Sequence, residues 1–200
     1  MAPATASQQP EAQPGESLRT TLRAATMTAH DLLDHAMQAA SGWQTRADYA
    51  RFLALQYAAR LPLEAWLAAH ASPDLAPPVQ TPLIARDLAR LDTAVPAAAP
   101  LFTIGRAAAG HALGAAWVLA GSALGNKAIA RQVSRIGGGA WPQAFLGDAG
   151  MMHFWQSLRA RIERPAAPAE AAGAARAAEA VFAHFLAAAD RALATESLPA

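Results

Sequence analysis

The chain has no cysteine. That removes disulfides, thiolate metal ligands and cysteine nucleophiles together, and leaves His, Asp, Glu or a cofactor to hold any metal. Lysine is nearly absent too: Lys127 is the sole one among 16 basic residues. Arginine is the better partner for a carboxylate, because its planar fork donates two parallel hydrogen bonds. The cations are balanced by 15 acidic residues, leaving a formal net charge of +1. Such a balance gives no overall field to recruit nucleic acid or an anionic membrane surface. Strand patterns are missing, since no run of β-branched and aromatic residues alternates with period two. The apolar stretch from Ala107 to Ala120 is too short and too rich in small residues to span a bilayer. The opening residues, MAPATASQQPEAQPGES, carry no basic region and no apolar core. Residues 1–16 therefore read as a disordered tail and not as a signal peptide, and cytoplasmic residence is the default expectation.

What is present is alanine and leucine at helical spacing almost throughout. With 54% apolar residues in a chain of 200, one compact core is affordable and two are not. The expected fold is all-α, a single-domain helical bundle over residues 17–195. Helix one runs over residues 17–39, with Ser17 as its cap and Ser41-Gly42 past its end. Helix two covers 46–70, with Pro62 inside it to kink or divide it after Arg60. Prolines cluster in the connector at 71–100 around a short helix at 82–91, whose apolar side carries Leu83, Ile84, Leu88 and Leu91. A long helix is expected over 103–136, ended by three glycines at 137–139. After a loop through Trp141-Pro142, helices follow at 149–164 and 168–194, the last carrying Phe182 and Phe185.

Four glycines interrupt the long helix: Gly110, Gly114, Gly121 and Gly125. Their spacing places them within an arc of roughly 60° at about 100° per residue. Each costs a helix roughly 1 kcal/mol relative to alanine, and this chain uses alanine wherever it can. Something flat or bulky against the bare backbone explains the choice. Either a second helix packs closely there through small residues, or a planar cofactor does.

Helix one bears on the choice. Arg23, His30, Asp34 and Met37 share a face, being separated by one or two turns. A neutral imidazole is a good ligand for iron, and it works best when its other ring nitrogen donates a hydrogen bond that fixes the tautomer. Asp34 stands where it can accept that bond. Arg23 lies about 10 Å further along the face, in reach of a carboxylate on the rim of a large cofactor. His35 points elsewhere, and the histidines at 70, 111, 153 and 184 show no metal-ligand spacing. The chain lacks the inward glutamates and Glu-x-x-His pair that a di-iron bundle requires.

The segments Leu22-Arg23-Ala24-Ala25-Thr26 with His30, and Trp117-Val118-Leu119-Ala120-Gly121-Ser122-Ala123-Leu124-Gly125, resemble the proximal and distal helix motifs of haem oxygenases. The likeness is to the bacterial biliverdin-producing type associated with bacteriophytochromes. It extends from Leu18 to Leu193, including Tyr49 to Trp66 and Phe154 to Ile162. The resemblance implies an enzyme in which haem is substrate as well as cofactor. His30 would be the axial ligand of the iron. Gly121 and Gly125 would let the distal helix lie close over the opposite face, pressing O2 toward one meso carbon. Electrons from a reductase or ferredoxin would then drive cleavage to biliverdin, CO and ferrous iron. A bacteriophytochrome that takes up biliverdin is a further implied partner, and neither nucleic acid nor membrane is. Arg159, in FWQSLRAR, and Arg23 match positions that contact the haem propionates, through charge-assisted and often bidentate hydrogen bonds.

The chain departs from the family at two positions. Well-known members carry an aspartate where Ser122 stands, ordering the water that delivers protons, and a hydroxyl can hold a water but cannot be a carboxylate base. Asn126, one turn on, is a second polar candidate for that side. Trp117 replaces a tyrosine. A haem-binding or haem-transfer protein of the same fold, which does not cleave its ligand, is the alternative that Ser122 motivates. Relatives of this architecture that act on thiamine lean on a cysteine or an acidic pocket, and the chain has no cysteine.

Overall fold

A computed structural model describes residues 15–41 and 44–196 of the chain. The described residues form α1 (Leu18–Ser41), α2 (Arg46–His70), α3 (Thr81–Arg90), α4 (His111–Ile136), α5 (Ala149–Ile162) and α6 (Pro168–Glu196), with a 3₁₀ turn at Pro73–Leu75. No strand occurs among them, so the fold is all-α. Most of the tail expected at residues 1–16, and Gly42, lie outside the described residues. Among the described residues no helix is long and apolar enough to cross a membrane.

α6 is the hub, with α1, α4 and α2 packed on it. Its buried stripe opens with small residues, Ala171, Ala174, Ala177 and Ala178, and continues with Val181 and Phe182. Small side chains let neighbouring backbones approach closely at that end, and larger ones hold them apart further along.

Local chemistry sets the helix ends. The Ser17 hydroxyl accepts the Thr20 N–H at 3.3 Å, as a cap does. Thr45 and Asp48 form a reciprocal capping box at the start of α2. α3 has no side-chain cap of its own. The buried Glu64 of α2 serves instead, accepting the backbone N–H groups of Gln80 and Thr81 at 2.8 and 3.3 Å. Asp148 caps α5 by accepting from Gly150 and Met151. The loop between α4 and α5 is pinned by the buried Asp87, which accepts the N–H groups of Ala144 and Phe145 at 3.0 and 2.9 Å.

Two expectations are corrected. α2 is not divided at Pro62 but runs unbroken through it. Proline has no N–H for the carbonyl four residues back, that of Ala58, and this carbonyl accepts the Ala99 N–H at 2.9 Å instead. The next carbonyl, Ala59, receives Nε2 of His184 on α6 at 3.0 Å. The long helix also starts later than residue 103. It begins at His111, after Gly110 in a left-handed conformation with φ of +83°. There the chain crosses α6 so tightly that a Cβ on Gly110 would run into the Glu170 carbonyl.

Candidate functional site

The glycine stripe divides into two halves with different surroundings. A Cβ on Gly114 would collide with the Ala174 carbonyl of α6, as one on Gly110 would with Glu170. Helix packing requires these two glycines. The other two are not required by it. A Cβ on Gly121 would make only an ordinary contact with Cζ3 of Trp155 at 3.8 Å, and one on Gly125 would meet nothing within 4 Å. Each of these glycines costs about 1 kcal/mol of helix stability against alanine, and nothing in the protein's own packing returns it.

Trp117 heads the row that Gly121 and Gly125 continue at spacings of one turn. Its indole Nε1 is buried and has no hydrogen-bond partner among the described residues. A buried donor without an acceptor costs about 1 to 3 kcal/mol, so this edge of α4 combines bare backbone with an unsatisfied N–H. Leu124 beside it is half exposed.

His30 stands at the same height in the bundle. Its ring packs against that of Phe182 on α6, with centroids 5.9 Å apart. α4 and α6 run in the same direction, with Gly110 meeting Glu170 and Gly114 meeting Ala174. Ser122 is eight residues beyond Gly114, and Phe182 is eight beyond Ala174. Equal rise per residue brings Ser122 and Phe182 level, and His30 with them. The imidazole Nδ1 lies 3.3 Å from Oδ2 of Asp34 and 3.9 Å from Oδ1 of Asp31. Its side chain is 59% exposed, and Nε2 faces no polar partner among the described residues. His35 is exposed, its Nδ1 at 2.6 Å from the Asp31 carbonyl. Met37, expected on the His30 face, is buried in the core. Only about 20° around the helix separates the two positions, so the difference lies in their neighbours: Met37 joins the core cluster that includes Tyr49 and Phe52 of α2.

Ser122 and Asn126 point away from the open row. The Ser122 hydroxyl donates to the Leu119 carbonyl at 2.7 Å and accepts Nη2 of Arg60 at 2.8 Å. Arg60 is 1% exposed. Its Nε donates to Gln56 Oε1 at 3.0 Å and its Nη1 to Gln80 Oε1 at 2.8 Å. The guanidinium lies 4.9 Å over the Phe145 ring. The Gln80 amide passes on to Asp148 Oδ2 at 2.8 Å. Burial pushes the Arg60 pKa down to about 10, against the opposing charges of Glu64 and Asp148, so it stays cationic at neutral pH. Asn126 is buried and lines a cleft of ≈ 410 Å³ between α4 and α5, together with Gln80, Lys127, Arg131, Asp148 and His153.

Sequence reasoning passed over Arg60, Glu64, Gln80 and Asp148. The pattern could have found the first two, because Leu53, Gln56, Arg60, Glu64 and Leu67 form one helical row whose two leucines are core residues. Polar groups at core positions need partners, and here they have them.

The two arginines expected to hold carboxylates are exposed. Arg159 donates through Nε and Nη2 to Glu163 Oε1, at 3.0 and 2.8 Å. It follows Trp155, the neighbour of Gly121, by one turn. Arg23 makes no hydrogen bond or ion pair among the described residues. No three His, Cys, Asp or Glu side chains among the described residues gather to hold a metal ion. No family model matches the chain, and no curated protein matches it.

Proposed function

We propose that the chain is a haem oxygenase that opens haem at a meso carbon to biliverdin, releasing CO and ferrous iron, with O2 and electrons from a reductase or ferredoxin. The observation that carries the reading is the divided glycine stripe. Gly110 and Gly114 answer to α6, whereas Gly121 and Gly125 keep α4 bare where the protein itself places nothing. A flat macrocycle is a ligand for which bare backbone is an asset.

The remaining residues fit that group. His30 would offer Nε2 to the iron, with Asp34 at 3.3 Å from Nδ1 to fix the tautomer and raise the ligand's basicity. Trp117 would give its unpaired N–H to an acceptor on the bound molecule. Arg23 and Arg159 would meet carboxylates at its rim. Bound haem would supply the oxygen chemistry, His30 would hold it, and the bare stretch of α4 at Gly121 and Gly125 would cover its other face.

One observation favours a second reading. The hydroxyl of Ser122 is engaged by Leu119 and Arg60 and no carboxylate stands in its place, as suits a protein that holds haem without cleaving it. Incubation with haemin and a reductant under air separates the two. Replacement of the Soret band by the broad red absorption of biliverdin supports the oxygenase, and a Soret band that persists under these conditions excludes it.

A further inference from the structure

The cleft between α4 and α5 owes nothing to the glycine row or to His30. Asn126 lies in its wall, 6% exposed, and its carboxamide has no hydrogen-bond partner among the described residues. Ala123 and Ala130 stand one turn before and one turn after it in the same wall. Asparagine is a poorer helix former than alanine, and a buried amide without partners forfeits the hydrogen bonds that water gave it in the unfolded chain. The position costs stability, and the fold returns nothing for it.

Lys127 and Arg131 line the same cleft. They are four residues apart on one helix, where like charges repel. Neither makes a hydrogen bond or ion pair among the described residues, whereas Arg19, Arg46, Arg51, Arg159 and Arg161 each meet a carboxylate. Asp148 is the one acid in the lining. Its oxygens are taken by the N–H groups of Gly150 and Met151 and by Nε2 of Gln80, and the buried Arg60 offsets its charge from the protein side. The two cations of α4 are therefore left uncompensated. Leu146 and Met152 add apolar wall beside the alanines.

We propose that this cleft binds an organic phosphate monoester, with Lys127 and Arg131 on the phosphate and the Asn126 carboxamide hydrogen-bonded to the ligand. A phosphate monoester carries close to two negative charges at neutral pH, which matches two unpaired cations where a carboxylate would match one. Arginine gives phosphate oxygens a parallel pair of N–H donors, and lysine adds a mobile point charge. The cleft, at ≈ 410 Å³, has the size of a small-molecule site, and its apolar wall suits an organic group on the phosphate. The proposal stands apart from the haem reading and survives its failure.

Isothermal titration calorimetry of the full chain with phenyl phosphate, inorganic phosphate and benzoate tests it. The variants are Asn126→Ala, Lys127→Gln, Arg131→Gln and Arg135→Gln, the last removing a cation one turn beyond Arg131 that does not line the cleft. Phenyl phosphate should bind at one site, about tenfold or more tighter than either other probe. Lys127→Gln and Arg131→Gln should each weaken it about tenfold and Asn126→Ala about fivefold, with Arg135→Gln within about twofold of the wild type. Asn126→Ala should also raise the thermal unfolding midpoint of the ligand-free protein by a few degrees, and an unchanged or lower midpoint gives Asn126 a structural role and overturns its assignment. No saturation by phenyl phosphate at about 10 mM, equal affinity for benzoate or inorganic phosphate, or an equal loss in Arg135→Gln overturns the proposal.

Discussion

The carbonyl of Ala58 and the amide of Ala99 meet at 2.9 Å, across the space where Pro62 has no proton to give. The connector thereby completes the hydrogen bonding of a helix it does not belong to. Ala99→Pro should remove this donor and leave the carbonyl unpaired, at a cost of about 1 to 3 kcal/mol. Thermal unfolding followed by circular dichroism should show a midpoint lower by several degrees, and an unchanged midpoint would show that water replaces the amide freely.

Gly114 and Gly125 should respond to alanine in opposite ways. Gly114→Ala drives a methyl group into the Ala174 carbonyl and should unfold or strongly destabilise the apoprotein. Gly125→Ala meets no atom within 4 Å and should stabilise the apoprotein by about 1 kcal/mol while weakening haem binding or turnover. Gly121→Leu should abolish turnover with helix content intact. Normal turnover in both Gly125→Ala and Gly121→Leu would remove the reason for bare backbone there.

His30→Ala should lose the histidine-ligated absorption spectrum of the haem complex. Asp34→Ala, which takes away the carboxylate 3.3 Å from Nδ1, should weaken haem affinity about 10- to 100-fold without abolishing the spectrum. Haem titration of both variants checks this, and wild-type behaviour in His30→Ala would place the ligand elsewhere.

Glu163 holds two nitrogens of Arg159 and offsets part of the charge that a ligand carboxylate would meet there. Glu163→Gln should therefore tighten haem binding by about two- to fivefold, and Arg159→Ala should loosen it. Equal affinities in the two variants would leave the pair as a surface contact between neighbouring turns.

Acid should unfold the apoprotein earlier than its carboxylates alone would cause. Burial lowers the pKa of His184 below 6.5, the Ala59 carbonyl partly opposes this, and Arg191 adds to it. Burial, then Arg176, does the same for His111. Both are neutral in the folded protein, whereas the unfolded chain takes up their protons near pH 6.5. Their contribution is thus fully present above that pH and is lost as the pH falls below it. Unfolding midpoints measured from neutral pH downward should decline more steeply in the wild type than in His111→Gln/His184→Gln, and equal slopes would refute this.

Helix identity and most helix ends were legible, because periodic leucine and alanine, proline punctuation and the 137–139 glycines act locally. The late start of α4 was not. Gly105, with φ of +43°, and Gly110, with φ of +83°, both lie in this stretch, but only the place of the Glu170 carbonyl, sixty residues away, shows that Gly110 has to be bare. The stripe itself was legible as four glycines and illegible as two pairs, since only the position of α6 tells which need to be bare. Arg60 looked like any helix arginine; its partners Gln80, Ser122 and Phe145 come from three other segments.

Gly114 and Ala174 touch backbone to backbone, with no side chain between them to absorb a change. Bulk added at that point is answered by tilting one helix about the other, and the displacement grows with distance from the pivot. Gly125 lies eleven residues further along, about 16 Å down the axis. The crossing works as a fulcrum, and the width beside Gly125 is tuned from eleven residues away.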